Sequence, residues 1–137
     1  MEKRKVYFAG SIRGGRDDAK VYSLLIDKLK EKFVVLTEHI GDVALGDFGE
    51  KSLTDQEIYQ RDISWIDDCD FLFAEVSKTS LGVGYELGYA EAKGKKVYCV
   101  YDKGKVGRLS AMLLGNKNFQ CVAYETLEEL FEFIDTL

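Results

Sequence analysis

"DFLFAEVSKTSLGVGYELGYAEAKGKKVYCVY", Asp70 to Tyr101, contains a complete strand–helix–strand unit. Its first run, Phe71–Val76, is short and almost continuously apolar, as strands buried on both faces are. A glycine-rich turn follows, in which Gly82, Gly84 and Gly88 surround one carboxylate, Glu86. The helical stretch opens near Gly82 and stops at Gly94, a glycine of the kind that ends helices. Val97–Tyr101 is a second buried strand. The glycine-rich turn opens a helix, so its N–H groups and the helix dipole favour an anion. Glu86, read as a first-turn carboxylate, is then either a helix cap or a charge placed for chemistry. The dipole is expected to keep it ionised even where it is partly buried.

The same alternation continues outward in both directions. Val6–Ala9, Phe33–Leu36 and Phe119–Tyr124 are further short apolar runs rich in β-branched and aromatic residues. Between them, Tyr22, Leu25, Ile26, Leu29 and Phe33 recur at helical spacing. Thr54 precedes Glu57 by three positions, a capping box for a helix whose apolar side is Ile58, Ile63, Trp65 and Ile66. "RLSAMLLG" forms a short fourth helix, and "TLEELFEFIDTL" a fifth with Leu127, Leu130, Phe131, Ile134 and Leu137 on one stripe. Strand–helix alternation throughout argues an α/β fold: a parallel sheet between two helical layers. Five strands suggest a flavodoxin-like, Rossmann-like three-layer sandwich of order 2-1-3-4-5 in one domain, 1–137. In such sheets ligands bind beyond the carboxyl ends of strands 1 and 3, where the order reverses. The loops there are "GSIRGGR" and "SKTSLGVGYE", the two glycine-rich segments of the chain.

Composition narrows the class. The 137 residues carry a formal net charge of −5, which argues against binding a nucleic acid polymer. No apolar run has the length of a membrane span, and the first residues lack the apolar segment of a signal peptide, so a cytoplasmic protein is expected. Three cysteines, Cys69, Cys99 and Cys121, sit in apolar runs and read as free thiols. With one histidine, His39, and no C-x-x-C pair, no metal site is expected.

The motifs exclude as well as suggest. Gly10 and Gly15 have the glycine spacing of a phosphate loop, but Arg16 and Asp17 replace its lysine and hydroxyl residue, so a nucleoside triphosphatase is rejected. Ser11 and Arg13 still offer donors to a phosphate or sugar. Gly82, Gly84 and Gly88 miss the dinucleotide fingerprint by one position and follow the third strand, not the first. Taken alone, Asp62 is a solvated helix carboxylate, Tyr7 a core residue, and His39 a loop or core residue.

Together, "VYFAGSIRGGR", "VLTEH", "DISWIDDCDFLFAEVS", "SLGVGYELGYA" and "GRLSAM" closely resemble the 2'-deoxynucleoside 5'-phosphate N-hydrolases, relatives of the nucleoside 2-deoxyribosyltransferases. The resemblance covers nearly the whole chain. It implies cleavage of the bond between base and deoxyribose by a homodimer, without cofactor or metal. Carried over by position, it makes Glu86 the nucleophile at the anomeric carbon and Asp62 the group that protonates or orients the leaving base. It gives Tyr7 the sugar and carboxylate geometry, and Gly10, Ser11, Ile12, Arg13, Gly14, Gly15 and Arg16 the lining of the nucleotide site. His39 would lie near the base, Ser80 and the N–H of Gly82 would bind the 5'-phosphate, and Ser110 and Met112 would come from the partner subunit.

Serine at position 80 distinguishes branches. The transferases typically carry an acidic residue there, suited to a sugar hydroxyl, whereas serine removes a charge that would repel a phosphate. Three rival readings stay open. They are a deoxyribosyltransferase, a ribonucleotide N-hydrolase, and a non-catalytic nucleotide- or flavin-binding module on the same fold. The loop from Gly41 to Ser52 is not closely matched, so the preferred base is not specified.

Overall fold

The computed structural model describes residues 2–11, 19–37, 39 and 52–137. The elements run β1 (Lys5–Ala9), α1 (Ala19–Lys30), β2 (Val34–Val35), α2 (Asp55–Asp68), β3 (Phe71–Glu75), α3 (Leu81–Ala92), β4 (Lys96–Asp102), α4 (Ala111–Leu114), β5 (Phe119–Tyr124) and α5 (Leu127–Asp135). All four strand pairings are parallel, and the sheet order is β2-β1-β3-β4-β5. The expected α/β fold and strand order are those observed.

Strand pleating sorts the side chains into two layers. Val6, Phe8, Phe71 and Phe73 point to one face, where Tyr22, Leu25, Leu29, Leu130 and Ile134 from α1 and α5 cover them. Tyr7, Ala9, Leu72 and Ala74 point to the other, under Ile66 of α2 and Val83, Leu87 and Ala90 of α3. Every residue of central β3 is buried, which explains its apolar run from Phe71 to Ala74; Glu75 ends the strand as a buried carboxylate.

Two elements are smaller or barer than the sequence suggests. The second strand is two residues long, where Phe33–Leu36 was expected. Phe33 instead closes the end of α1, its N–H donating to the Leu29 carbonyl at 2.8 Å. At the other end the buried Thr37 side chain supplants the ladder: its Oγ1 accepts from the Phe8 N–H at 2.9 Å and donates to the Phe8 carbonyl at 2.7 Å. Helix α2 has its capping box at Thr54 and Glu57, but only Ile66 of its apolar side is fully buried. Ile58, Ile63 and Trp65 remain partly open to the crevice.

Helix α3 ends in a Schellman motif: the Lys95 N–H reaches the Ala90 carbonyl and the Gly94 N–H the Glu91 carbonyl, both at 2.9 Å. Gly94 has φ +75°, which a side chain would strain. The three cysteines are free, Cys121 only partly buried. Burial pushes the Cys69 thiol up to about 11 and the Cys99 thiol up to about 12, which suits inert packing groups.

Gly10 marks where the backbone leaving β1 runs against Tyr22. A Cβ there would lie 2.9 Å from the Tyr22 ring, whose hydroxyl accepts from the Ser11 N–H at 3.1 Å. Gly10→Ala should therefore destabilise the protein by about 1–3 kcal/mol in urea unfolding. Gly88→Ala, inside α3 with nothing within 4 Å of the new carbon, should instead stabilise by about 0.5–1 kcal/mol. Equal effects of the two substitutions would contradict this packing.

Candidate active site

The site is assembled where β1 and β3 end and the sheet order reverses. Register places Tyr7 of β1 beside Leu72 of β3, so Tyr7 points toward α2 and α3. Its hydroxyl donates a hydrogen bond to Glu86 Oε2 on α3. Asp62 of α2 stands close enough for its charge to act on both groups. An open pocket of about 530 Å³ is lined by Tyr59, Asp62, Ile63, Gly82, Tyr85 and Glu86, with the buried Tyr7 hydroxyl behind Glu86. Tyr59 and Tyr85 form its outer wall, their rings edge to face at 6.1 Å and their hydroxyls 3.3 Å apart.

The electrostatics give the two central groups different roles. Burial, followed by the negative charges of Glu86 and Asp62, drives the Tyr7 hydroxyl far above its ordinary pKa. Tyr7 therefore keeps its proton and acts as a donor. Desolvation raises Glu86 to about 7, and Asp62 adds to the rise; the Tyr7 hydrogen bond and Arg61 oppose it. This corrects the expectation that the helix dipole keeps Glu86 ionised. Helix α3 begins at Leu81, so Glu86 is its sixth residue and lies in the second turn, beyond the reach of the dipole.

Arg61 links the Asp62 side of the pocket to His39 and Trp65. Its guanidinium contacts Asp62 Oδ1 at 2.9 and 3.0 Å, and its Nη2 lies 3.4 Å from His39 Nε2. The cation also sits 4.7 Å from the Trp65 ring centroid, and His39 lies 5.6 Å from the same ring. Neither Arg61 nor the two tyrosines was singled out from sequence as a site residue. One signal was present: Arg61 is the only Lys or Arg in α2, next to Asp62 in a helix of many carboxylates.

Among the residues expected from sequence, Asp62, Glu86 and Gly82 line one pocket, with Tyr7 joined through Glu86 and His39 through Arg61. Gly10 and Ser11 follow β1 at the crevice. Ser11 Oγ is buried and has no hydrogen-bond partner among the described residues. Ile12, Arg13, Gly14, Gly15 and Arg16 lie outside the described residues, as does most of the loop from Gly41 to Ser52. Ser80, Ser110 and Met112 line a different pocket, of about 330 Å³, with Ser77, Gly84, Leu87 and Arg108 among its other walls. The two pockets flank opposite sides of the first turns of α3, as residues 80, 84 and 87 and residues 82, 85 and 86 must at 3.6 residues per turn. Ser80 caps α3, its Oγ accepting from the Val83 N–H at 3.2 Å, which leaves the hydroxyl hydrogen for another acceptor. Among the described residues no group of three or more His, Cys, Asp or Glu is arranged to hold a metal ion. No helix among them is long and apolar enough to cross a membrane.

A partly buried carboxylate bonded to a tyrosine, with a second carboxylate lining the same open pocket, can stabilise positive charge that develops on a bound group. Comparison with known proteins gives the family. The nucleoside 2-deoxyribosyltransferase family matches residues 6–123, and the chain belongs to that family. It is 50% identical over 115 residues to the 5-hydroxymethyl-dUMP N-hydrolase of Tetraodon nigroviridis, covering 83% of this chain and 81% of that one. It is 49% identical over 117 residues to a putative 2'-deoxynucleoside 5'-phosphate N-hydrolase 1 of Nematostella vectensis, covering 84% and 79%. The fold is also that of the Clostridium botulinum CMP N-glycosidase, with a TM-score of 0.70 at 20% identity over 98% of this chain and 100% of that one.

The shifted carboxyl has a stability consequence. Between pH of about 4.5, its ordinary value, and about 7, the folded state holds the Glu86 proton more tightly than the unfolded state. Wild-type stability should therefore fall relative to Glu86→Gln as pH rises through that window, then run parallel above it. The full difference should be on the order of 3 kcal/mol. Urea unfolding of both proteins from pH 4.5 to 8 measures it, and curves parallel throughout would show that Glu86 is not shifted.

Proposed function

We propose that the chain hydrolyses the N-glycosidic bond of 2'-deoxynucleoside 5'-monophosphates, giving free base and 2-deoxyribose 5-phosphate. The broader class, a hydrolase of N-glycosyl compounds acting on nucleotides, follows from the family and the activities named for its relatives. The observation that carries the finer reading is the Tyr7–Glu86 hydrogen bond at the floor of the pocket that Asp62 lines.

In this mechanism Glu86 attacks the anomeric carbon as the bond to the base breaks and the base leaves with the electron pair. Asp62, on the base side, orients the leaving base or supplies its proton. Tyr7 keeps its own proton, donates to Glu86 and so fixes which oxygen is free to attack. Water then cleaves the glycosyl–Glu86 ester, with the carboxylate as leaving group. Ser80 donates its hydroxyl hydrogen to the 5'-phosphate, beside the N–H of Gly82 at the helix start.

The site is completed by a second copy of the chain. Ser110 and Met112 do not reach the Glu86 pocket of their own subunit. Met112 is 80% exposed and Leu81, at the start of α3, 95% exposed. A two-fold pairing over these apolar side chains would bring Ser110 and Met112 to the partner's nucleotide. A monomer in sedimentation experiments that retains normal turnover would contradict this.

Incubation with deoxynucleoside monophosphates, followed by chromatography of released base, tests the activity. Glu86→Gln should lower kcat by several orders of magnitude while leaving the fold intact, since each factor of ten is only about 1.4 kcal/mol of barrier. Wild-type kcat/KM should rise with pH through about 7 as Glu86 ionises. A slow 2-fluoro-2-deoxyribosyl substrate should leave its sugar on the Glu86 peptide. Near-normal base release by Glu86→Gln would overturn the assignment, and activity loss without trapped sugar would indicate attack by water with Glu86 as base. Ser80→Asp should harm nucleotide turnover more than nucleoside turnover, because it sets like charges together. Transfer of the sugar to an added free base would identify a transferase instead.

A further inference from the structure

Glu75 is the last residue of β3, only 2% exposed, and plays no part in the chemistry above. It points to the α1–α5 face of the sheet, opposite the two pockets, so it touches no substrate. Among the described residues, three donors converge on its carboxylate. The Ser77 N–H reaches Oε1 at 2.7 Å, the Ser77 hydroxyl reaches Oε2 at 2.8 Å, and the Tyr124 hydroxyl of β5 also donates to Oε2. Ser77 Oγ in turn accepts from the Asp102 N–H, at the end of β4, at 2.8 Å. The Val76 N–H meanwhile extends the β3–β4 ladder to the Val100 carbonyl at 2.9 Å.

Burying a carboxylate is costly, and an apolar residue at the end of a strand would pack without that penalty. What this one holds is the loop that leaves β3. Ser77 is three residues before Ser80, and both line the 330 Å³ pocket beside the start of α3. The geometry points to Glu75 as a positioning residue for the phosphate-binding loop: through Ser77 it ties the approach to Ser80 to the ends of β4 and β5. The inference rests on the reading of Ser80 as a phosphate contact. It predicts that damage to Glu75 is felt at the 5'-phosphate rather than at the scissile bond.

Binding of 2-deoxyribose 5-phosphate and turnover of a deoxynucleoside with and without its 5'-phosphate separate the cases. In Glu75→Gln the affinity for 2-deoxyribose 5-phosphate and the kcat/KM for the nucleotide should fall by about tenfold or more, chiefly through KM. The kcat/KM for the deoxynucleoside should change by less than about twofold. Tyr124→Phe and Ser77→Ala, which keep the packing volume, should show the same selective loss to a smaller degree, and carry the test if Glu75→Gln does not fold. Combined with Ser80→Ala, each loss should be less than additive, because both act on one contact. Equal losses on nucleoside and nucleotide, or full additivity with Ser80→Ala, would overturn the role of Glu75. Wild-type protein that neither binds 2-deoxyribose 5-phosphate nor releases base would overturn the functional reading itself, and this inference with it.

Discussion

The parallel pairing of β1 with β3 is the constraint from which the site follows. It sets Val6, Tyr7, Phe8 and Ala9 beside Phe71, Leu72, Phe73 and Ala74, so both strands are buried on both faces. A tyrosine on such a strand has no water for its hydroxyl and must find a partner inside the protein. Tyr7 finds Glu86. The same packing that demands this bond also partly desolvates Glu86, which raises its pKa while the Tyr7 hydrogen bond opposes the rise. The strand order contributes the other half: because β2 and β3 lie on opposite sides of β1, the connections after β1 and β3 diverge and leave a crevice at their carboxyl ends.

Most of this frame was legible in the sequence, because it rests on short-range rules. Continuous apolar runs gave β1, β3 and β4, and the Thr54–Glu57 box and Gly94 gave ends of α2 and α3 within a residue or two. Legibility failed where one side chain overrode the pattern. Nothing in the apolar run Phe33–Leu36 says that Thr37 will take both hydrogen-bonding groups of Phe8 and end the ladder. Nor does periodicity show that α2 leaves Ile63 facing a pocket. The site divides in the same way. Glu86, Asp62 and Tyr7 stood out through a family resemblance, and the structure brings them together. Arg61 did not: its contacts with Asp62 and with Trp65, one helical turn on, are local, but its approach to His39 spans 22 positions, which no spacing rule encodes. Glu75 read as one more residue of a buried strand, since its partners lie 2 and 49 positions away.

Helix α3 then resolves an electrostatic conflict in the proposed chemistry. The nucleotide brings a phosphate that must be held close, and the reaction needs an ionised carboxylate near the same molecule. Placing both at the helix start would serve the phosphate and defeat the carboxylate. Six residues separate Ser80 from Glu86, a rise of about 9 Å along a helix. At an effective dielectric of about 20, two unit charges at about 9 Å repel by about 1.8 kcal/mol, somewhat over one pKa unit. At about 4 Å the same pair would repel by about 4 kcal/mol, or roughly three units. Desolvation already raises Glu86 to about 7, so the shorter separation would hold it protonated when substrate is bound. The longer one limits the adverse shift to somewhat over one unit, added to a value that the Arg61 cation already holds down. The glycines at 82 and 84 keep the helix start bare enough for a phosphate to approach. The first carboxylate of α3 is deferred to the second turn, where the dipole no longer helps it and a phosphate at the helix start repels it less than a neighbouring one would.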